Sequence, residues 1–309
     1  MFILVGLGLI GAPLTLALAG LSGNGHRWVD ILVQFTAPAL ATTILLGLGF
    51  LLIRRRRWAT AAAAVMVLLL IVVWPQWFPP RGQAEPGAPV IRLYSANLYY
   101  RNDDAAAIRR SIVAADPDII VLVELARSPA IDLDRILAGY PHRVISERLD
   151  DVRGLSRSLI ASRYPLTEVP DRADGLHDVT AVAQTPLGRL NLIGVHLTRP
   201  WPFQYQWGQI NQTSALAAVR ADLTGPVVVA GDFNSISSAR IGRQVQREAG
   251  LVPAPGFPGT WPAALPSAFG MTIDQVYRTP DLALISRKLG RPTGSDHRPV
   301  VTEITRAAD

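Results

Sequence analysis

The chain has 309 residues, of which 49% are hydrophobic and only 17% charged, with a mean hydropathy of +0.24 and a formal net charge of +6. This composition is too apolar for a disordered protein or a nucleic-acid-binding tail, and it indicates a membrane portion. The sequence contains no cysteine, which excludes disulfides, thiolate metal sites and cysteine nucleophiles.

The apolar excess lies at the N-terminus. Three windows contain no formally charged side chain, namely 1–26, 31–53 and 58–80. Each is longer than the roughly 20 apolar residues that cross a bilayer as a helix. We therefore predict a membrane domain over 1–80 with three transmembrane helices in contact with the lipid bilayer. Cleavage after Ala17-Leu18-Ala19 is an alternative, although no basic residues precede that apolar run as they do in signal peptides.

The distribution of charge predicts the orientation of these helices. Four consecutive arginines at 54–57 follow the second window, and the positive-inside rule places them in the cytoplasm. The third helix then runs outward, so we expect a multi-pass protein of the cell membrane whose residues after about Arg81 are extracytoplasmic. The first 81 residues hold six arginines and one acid, which leaves 24 basic and 23 acidic residues beyond them. The outer part is therefore nearly neutral and lacks the basic footprint of a nucleic-acid-binding domain.

For the remainder of the chain we predict a linker at 81–89, a catalytic domain at 90–305 and a tail at 306–309. Short apolar runs alternate with helical stretches in this domain, which is typical of a mixed sheet system with helices packed outside. The predicted strands are 90–95, 118–124, 180–184, 189–196, 226–230, 274–277 and 298–304. The predicted helices are 104–115 and 209–223. Aromatics alternate between Arg199 and Trp207, and this stretch either packs locally or meets the membrane interface or substrate.

Polar side chains that can do chemistry fall at the ends of these strands. They are Asn97, Glu124, His196, Asp232, Asn234, Asp274, Asp296 and His297. Because ligand sites in α/β folds form where strands end, these residues predict one shared cleft. Carboxylates and amides without cysteine favour a hard cation, Mg²⁺ or Mn²⁺, with Glu124 as the best candidate ligand.

The motifs around these residues resemble the endonuclease/exonuclease/phosphatase superfamily, and they occur in that family's order. The motifs are 95–102 (SANLYYRN), 117–124 (PDIIVLVE), 194–197 (GVHL), 231–235 (GDFNS), 260–262 (TWP), 273–274 (ID) and 294–300 (GSDHRPV). The resemblance implies an α/β (α+β) fold, a two-sheet sandwich flanked by helices, and metal-dependent hydrolysis of phosphate esters. The second histidine, His196, is similar to that of the secreted-nuclease and sphingomyelinase-like branch.

The resemblance also implies roles for individual residues. Asn97, Glu124 and Asp296 resemble the metal-binding group. Asp232 resembles the residue that orients or deprotonates the attacking water, and Asn234 the one that holds the scissile phosphate. Asp274 resembles the acid that pairs with the terminal histidine, His297, which stabilises charge on the phosphoryl group.

These expectations leave three functions open. The first is a membrane-anchored, nuclease-like phosphodiesterase, and the second is a hydrolase of phospholipids or lipid-linked phosphates. The substrate partner is accordingly a phosphate ester, either nucleic acid or phospholipid, and no protein partner is predicted. The third is a catalytically dormant, membrane-tethered interaction module, in which we would expect broken site residues.

Overall fold

A computed structural model describes residues 2–125, 132–146, 157–170, 175–176, 178–199 and 205–308. Four helices lie at the N-terminus: α1 (Phe2–Ser22), α2 (Arg27–Gln34), α3 (Thr36–Leu52) and α4 (Arg56–Trp77). Among the described residues, α1 from Leu4 and α4 are each long and apolar enough to cross a membrane. The prediction of apolar N-terminal helices is confirmed.

The number of membrane helices needs one correction, which concerns the middle segment. The predicted span 31–53 is not one helix, because the chain bends by 51° between α2 and α3. Two helices of the described segments are therefore long and apolar enough to span a membrane, and their number rises to three only when the bent pair of α2 and α3 is taken as one span. The reason for the break is tertiary: α2 buries Asp30 and Val33 and hydrogen-bonds with a segment some 200 residues later in the chain.

In the part of the chain that the structure describes, twelve strands form two six-stranded sheets after the N-terminal helices. The first sheet contains β1 (Ile91–Asn97), β2 (Ile119–Leu125), β3 (His142–Ile145), β4 (Arg157–Ser162), β11 (Leu282–Leu289) and β12 (Val300–Arg306). The second contains β5 (Leu166–Glu168), β6 (Asp178–Thr185), β7 (Gly188–His196), β8 (Val227–Asp232), β9 (Val252–Pro253) and β10 (Asp274–Arg278). The spatial orders are β11-β12-β1-β2-β4-β3 and β5-β6-β7-β8-β10-β9.

Each sheet has one parallel pair at its centre, β1 with β2 and β7 with β8, and antiparallel neighbours around it. A helix joins the two strands of each pair: α5 (Ala105–Ala115) in the first sheet and α7 (Trp207–Asp222) in the second. The side chain of Asp104 caps α5 by accepting from the N–H of Ala107. The carboxyl ends of all four parallel strands lie at the same edge of the sandwich, because the side chain of Asn97 at the end of β1 donates to that of Asp232 at the end of β8.

The two sheets pack face to face over a core of buried aliphatic side chains that includes Leu93, Val121, Leu192 and Val228. The outer face of the first sheet is covered by α5 and α6 (Leu133–Ile136), and that of the second by α7 and α8 (Arg240–Glu248). The predicted two-sheet sandwich flanked by helices is confirmed. Both faces of the central strands are buried, which explains why they read as continuous apolar runs in the sequence.

The sandwich lies directly against the ends of the N-terminal helices. The carbonyl oxygen of Gln76, in the last turn of α4, accepts from the N–H of Gly256 at 2.6 Å. The rings of Trp77 and Phe257 pack with centroids 4.7 Å apart, whereas Trp74 and Phe78 stay exposed. The four arginines at 54–57 precede or begin α4, about 33 Å away at the opposite end of that 22-residue helix.

The segment predicted as a linker follows the edge of the first sheet. Ala84 forms a bridge with Ala307, and the N–H of Glu85 donates to the carbonyl of Arg306 at 3.0 Å. The carbonyl of Arg81 accepts from the N–H of Leu284 in β11. The domain boundaries at 80, 89 and 305 stay a prediction.

Candidate active site

The parallel strands bring polar side chains to one edge of the sandwich. Asn97 ends β1, Glu124 is the last residue but one of β2, His196 ends β7 and Asp232 ends β8. In the strand register His196 pairs with Asp232, and Asp274 at the start of β10 pairs with the same aspartate from the other side. The expected juxtaposition therefore follows from strand pairing.

A hydrogen-bonded amide connects the two sheets at this edge. Nδ2 of Asn97 donates to Oε1 of Glu124 at 3.0 Å and to Oδ2 of Asp232 at 2.9 Å. Its Oδ1 accepts from the N–H of Tyr99 at 2.8 Å, so the amide orientation is fixed on both sides. Asn97 thus holds the carboxylates of Glu124 and Asp232, one from each sheet, close together. Their mutual repulsion would cost free energy if no donor or cation lay between them.

The backbone is bent where it presents these groups. Glu124 has φ = +52°, and the register between β2 and β4 shifts between Leu122 and Leu125. A left-handed glutamate in a bulge turns its carboxylate out of the strand alternation and into the cleft. Asn234 has φ = +48°, and its N–H donates to Oδ1 of Asp232 at 2.7 Å. Gly231 permits the close approach of β8 to β7, because a Cβ there would lie 2.0 Å from the carbonyl oxygen of Val195.

Two clusters of ligand atoms share Asp232. Glu124, His196 and Asp232 form one, and Asp232, Asp274 and His297 form the other; within each cluster the atoms lie no more than 4.8 Å apart. Nε2 of His196 is 3.3 Å from Oε1 of Glu124 and 3.8 Å from Oδ2 of Asp232. Two carboxylates and one imidazole on the open side of the cleft fit a hard divalent cation in the chemistry of their donor atoms.

The second cluster is a buried histidine–carboxylate pair. Nδ1 of His297 lies 2.9 Å from Oδ2 of Asp274, and its Nε2 lies 3.9 Å from Oδ2 of Asp232. Burial acts to lower the pKa of His297, but the neighbouring Asp274, Asp232 and Asp296 together outweigh it and raise that pKa to about 10. His297 is therefore a cation at neutral pH whose orientation is fixed by Asp274.

Asp232 is the most enclosed acid of the site, with 1% of its surface exposed. Burial raises the pKa of Asp232 to about 6, and Asp274 adds to this rise, while His297 and His196 act against it. A carboxyl with this pKa is mostly ionised at neutral pH and still basic enough to accept a proton.

Two further predicted residues line the same cleft. The Nδ2 of Asn234 donates to the carbonyl of Leu197 at 2.9 Å, which links the loops after β7 and β8. Asp296 is half exposed at the rim, where its Oδ2 accepts from Nε1 of Trp261 at 3.1 Å. All eight predicted site residues thus lie at one edge of the sandwich, and six of them line one cleft of about 420 Å³. The seventh, Asp274, hydrogen-bonds with His297, which lines the cleft. The eighth, Asn97, bonds two lining carboxylates.

One wall of this cleft was not predicted from the sequence. Ile31, Gln34 and Phe35, from α2 and the bend after it, line the cleft together with the residues above. A signal was present, because an acid and an amide four residues apart at Asp30 and Gln34 are costly in a bilayer and indicate a polar partner. Of the aromatic stretch after Arg199, residues 200–204 lie outside the described ones, while Arg199 lines the cleft and Tyr205 and Trp207 are exposed.

Comparison with known proteins agrees with this architecture. The fold is similar to an endonuclease/exonuclease/phosphatase from Beutenbergia cavernae DSM 12333, with 19% identity, a TM-score of 0.56 and coverage of 71% of this chain and 72% of that chain. It is also similar to the human Nocturnin catalytic domain, with 17% identity, a TM-score of 0.52 and coverage of 74% and 100%. Sphingomyelinase C from Streptomyces griseocarneus gives 17% identity, a TM-score of 0.51 and coverage of 70% and 99%.

These likenesses, at low identity, concern the fold. No curated protein matches the sequence. The profile of the Endonuclease/Exonuclease/phosphatase family matches residues 94–297, which is more than half of the chain and contains every predicted site residue. The chain therefore belongs to the endonuclease/exonuclease/phosphatase family.

Proposed function

We propose that the protein is a membrane-anchored, extracytoplasmic, divalent-metal-dependent phosphodiesterase. The observation that carries the proposal is the position of Asp232, whose carboxylate is shared between a cluster suited to a cation and a buried histidine pair. A phosphodiester in the cleft would lie between groups that bind charge and groups that move protons. Its hydrolysis adds water across one P–O bond and yields a phosphomonoester and an alcohol.

The cation would be held by Glu124 and Asp232, with Asn97 orienting both carboxylates and Asp296 at the rim. When bound, a Mg²⁺ or Mn²⁺ ion supplies positive charge to the phosphoryl oxygens. Donors limited to oxygen and one imidazole support this class of ion over softer metals.

The remaining steps belong to side chains of the chain itself. The carboxylate of Asp232 orients the attacking water and accepts its proton. The imidazolium of His297, held by Asp274, donates through Nε2 to the phosphoryl oxygens as negative charge builds up on them. His196 and the amide of Asn234 line the same cleft and would also contact the phosphate. The alcohol leaves with a proton from solvent or from the imidazolium.

The test is hydrolysis by the full-length protein in detergent. We expect turnover of bis-(p-nitrophenyl) phosphate that depends on added Mg²⁺ or Mn²⁺, and a loss of roughly 100-fold or more in Asp232→Asn and His297→Gln. Asp281→Asn, which replaces an exposed acid outside the cleft, serves as the matched control and should retain activity. Absence of metal-dependent turnover with this diester, with plasmid DNA and with a phospholipid panel would favour the dormant interaction module.

The orientation in the membrane has its own experiment. Because the natural sequence has no cysteine, single cysteines report exposure without background. An impermeant maleimide should label Asp281→Cys on intact cells and label Arg56→Cys only after lysis. The reverse pattern would place the catalytic domain in the cytoplasm.

A further inference from the structure

One side of the catalytic cleft is built from the membrane segment. Ile31 of α2 and Phe35, at the bend where α3 begins, line the cleft on the side formed by the N-terminal segment. Met271 and Ile273, from the loop before β10, line the same cleft. Together these four residues, which we call the apolar wall, face the space that Glu124, Asp232 and His297 also line.

The apolar wall is fixed rather than loosely apposed. Val33, two residues from both Ile31 and Phe35, packs in a buried cluster with Ile236, Met271 and Ile273, and Phe35 packs against that cluster. Oε1 of Gln34 accepts from the N–H of Ile236 at 2.8 Å, two residues after Asn234. The cleft is therefore complete only when α2 is docked on the sandwich.

The charges around the cleft do not match a polyanion. Among the described residues that line it, Arg199 and the imidazolium of His297 carry positive charge, whereas Asp30, Glu124, Asp232 and Asp296 are acids. Nucleic acid binding draws most of its free energy from lysine and arginine contacts to successive phosphates. A substrate with one phosphodiester and an apolar remainder fits this lining better.

We propose that the apolar wall is a subsite for the hydrocarbon part of an amphiphilic phosphodiester, so that the substrate class is a lipid with its phosphate at the catalytic cleft. This inference rests on the proposed function and names the substrate of the same site. A lipid is the expected occupant because the apolar wall is continuous with an apolar helix. Phe35 immediately precedes α3, whose 17 residues carry no charged side chain. A lipid at the outer surface of the bilayer would reach the wall next to the helix that enters the membrane.

The experiment compares two soluble diesters with the same scissile bond and leaving group. Methyl p-nitrophenyl phosphate and octyl p-nitrophenyl phosphate are each supplied below micelle-forming concentration to the full-length protein in nanodiscs. We expect kcat/KM for the octyl ester to exceed that for the methyl ester by about tenfold or more, because several methylenes leave water. Ile31→Ala and Phe35→Ala should each reduce this octyl-to-methyl ratio several-fold.

A matched variant and a binding measurement separate the outcomes. Trp28→Ala changes an exposed side chain on the same helix that does not line the cleft, and it should keep the ratio of the natural chain. A ratio near one in the natural chain, an unchanged ratio in both wall variants, or DNA cleavage that exceeds octyl ester hydrolysis and ignores these variants would overturn the subsite.

If neither ester is hydrolysed, the affinities of octylphosphonate and methylphosphonate are measured by calorimetry and compared. Octylphosphonate carries the chain but has no ester bond to break. Tighter binding of octylphosphonate that weakens in Phe35→Ala would support the subsite although the proposed function had failed. Equal binding of the two phosphonates would overturn the subsite as well.

Discussion

Asp30 joins the N-terminal helices to the two-sheet sandwich, and its removal should destabilise the whole protein. Oδ1 of Asp30 accepts from the N–H of Arg240 at 2.7 Å, at the first residue of α8. The N-cap residue of that helix, Ala239, has no side-chain cap of its own. Oδ2 accepts from Nε2 of the buried Gln206 at 2.6 Å. Asp30 therefore acts as a helix cap supplied from a distant part of the chain.

The cost of Asp30→Ala follows from these two bonds. Loss of an N-cap costs about 1 kcal/mol, within a range of roughly 0.5–2. A buried amide left without an acceptor costs a further 1–3 kcal/mol or so. The sum is about 2–4 kcal/mol, and each kcal/mol lowers the Tm of a large domain by about 2–4 °C. We expect the Tm of the full-length protein in detergent, followed by differential scanning fluorimetry, to fall by roughly 5–15 °C.

Two control variants sharpen this test. Asp30→Asn keeps an acceptor for the Arg240 N–H. Its NH₂ can donate to Oε1 of Gln206 once that amide turns over, because Oε1 is buried and has no hydrogen-bond partner among the described residues. It should therefore lose less than about 1 kcal/mol. Asp281→Ala, at an exposed acid, should change the Tm little. A Tm for Asp30→Ala within about 1 °C of the natural chain would refute the docking of α2.

Three further outcomes follow from the site. In metal-free protein Asp232→Asn should raise the free energy of unfolding at pH 8 by on the order of 3 kcal/mol, because ionisation of this acid opposes folding above its raised pKa of about 6. The gain should vanish below about pH 4, and a gain that is the same at every pH would contradict this prediction. Asp274→Asn should lower the pKa of His297 and shift the alkaline limb of the kcat/KM profile to lower pH by at least about one unit. An unshifted limb would show that Asp274 does not set the pKa of His297. Glu124→Gln should raise the Mg²⁺ concentration for half-maximal activity by about tenfold or more, and an unchanged titration would exclude Glu124 as a ligand.

The sequence allowed the central strands to be predicted, because their burial on both faces leaves a local apolar signal. β1, β2, β8 and the hairpin of β6 and β7 fall within a few residues of their predicted positions. Short or edge elements gave no such signal. β9 has two residues, and β11 is apolar at its start but charged in its second half, since that half lies partly exposed at the sheet edge.

The helices show a similar division. Helix α8 escaped prediction because its sequence is polar apart from Ile241 and Val245, which meet the core. The bend between α2 and α3 could not be read from the apolar window either. It depends on hydrogen bonds between Gln34 and the loop around Ile236, which are formed only in the folded chain.

The sequence allowed the residues of the candidate site to be predicted, but not most of the contacts between them. Polar residues at the ends of buried strands are visible in the sequence, and all eight lie at the edge where they were expected. The bond between Asn97 and Asp232 joins residues 135 positions apart in different sheets, so only the packing of the sheets reveals it. The wall supplied by α2 was missed for the same reason.

Whether the cation and the phosphoryl group bind in one cleft can be measured through the distance between them. Mn²⁺ and methylphosphonate are added to the full-length protein, and the ³¹P relaxation rate of the phosphonate is measured by NMR. We expect strong paramagnetic relaxation in the natural chain, because the effect requires the cation and the phosphonate to occupy one cleft, and we expect loss of that relaxation in Glu124→Gln. A phosphonate that binds without being relaxed by bound Mn²⁺ would contradict the convergence of Glu124, Asp232 and His297 on one reaction centre.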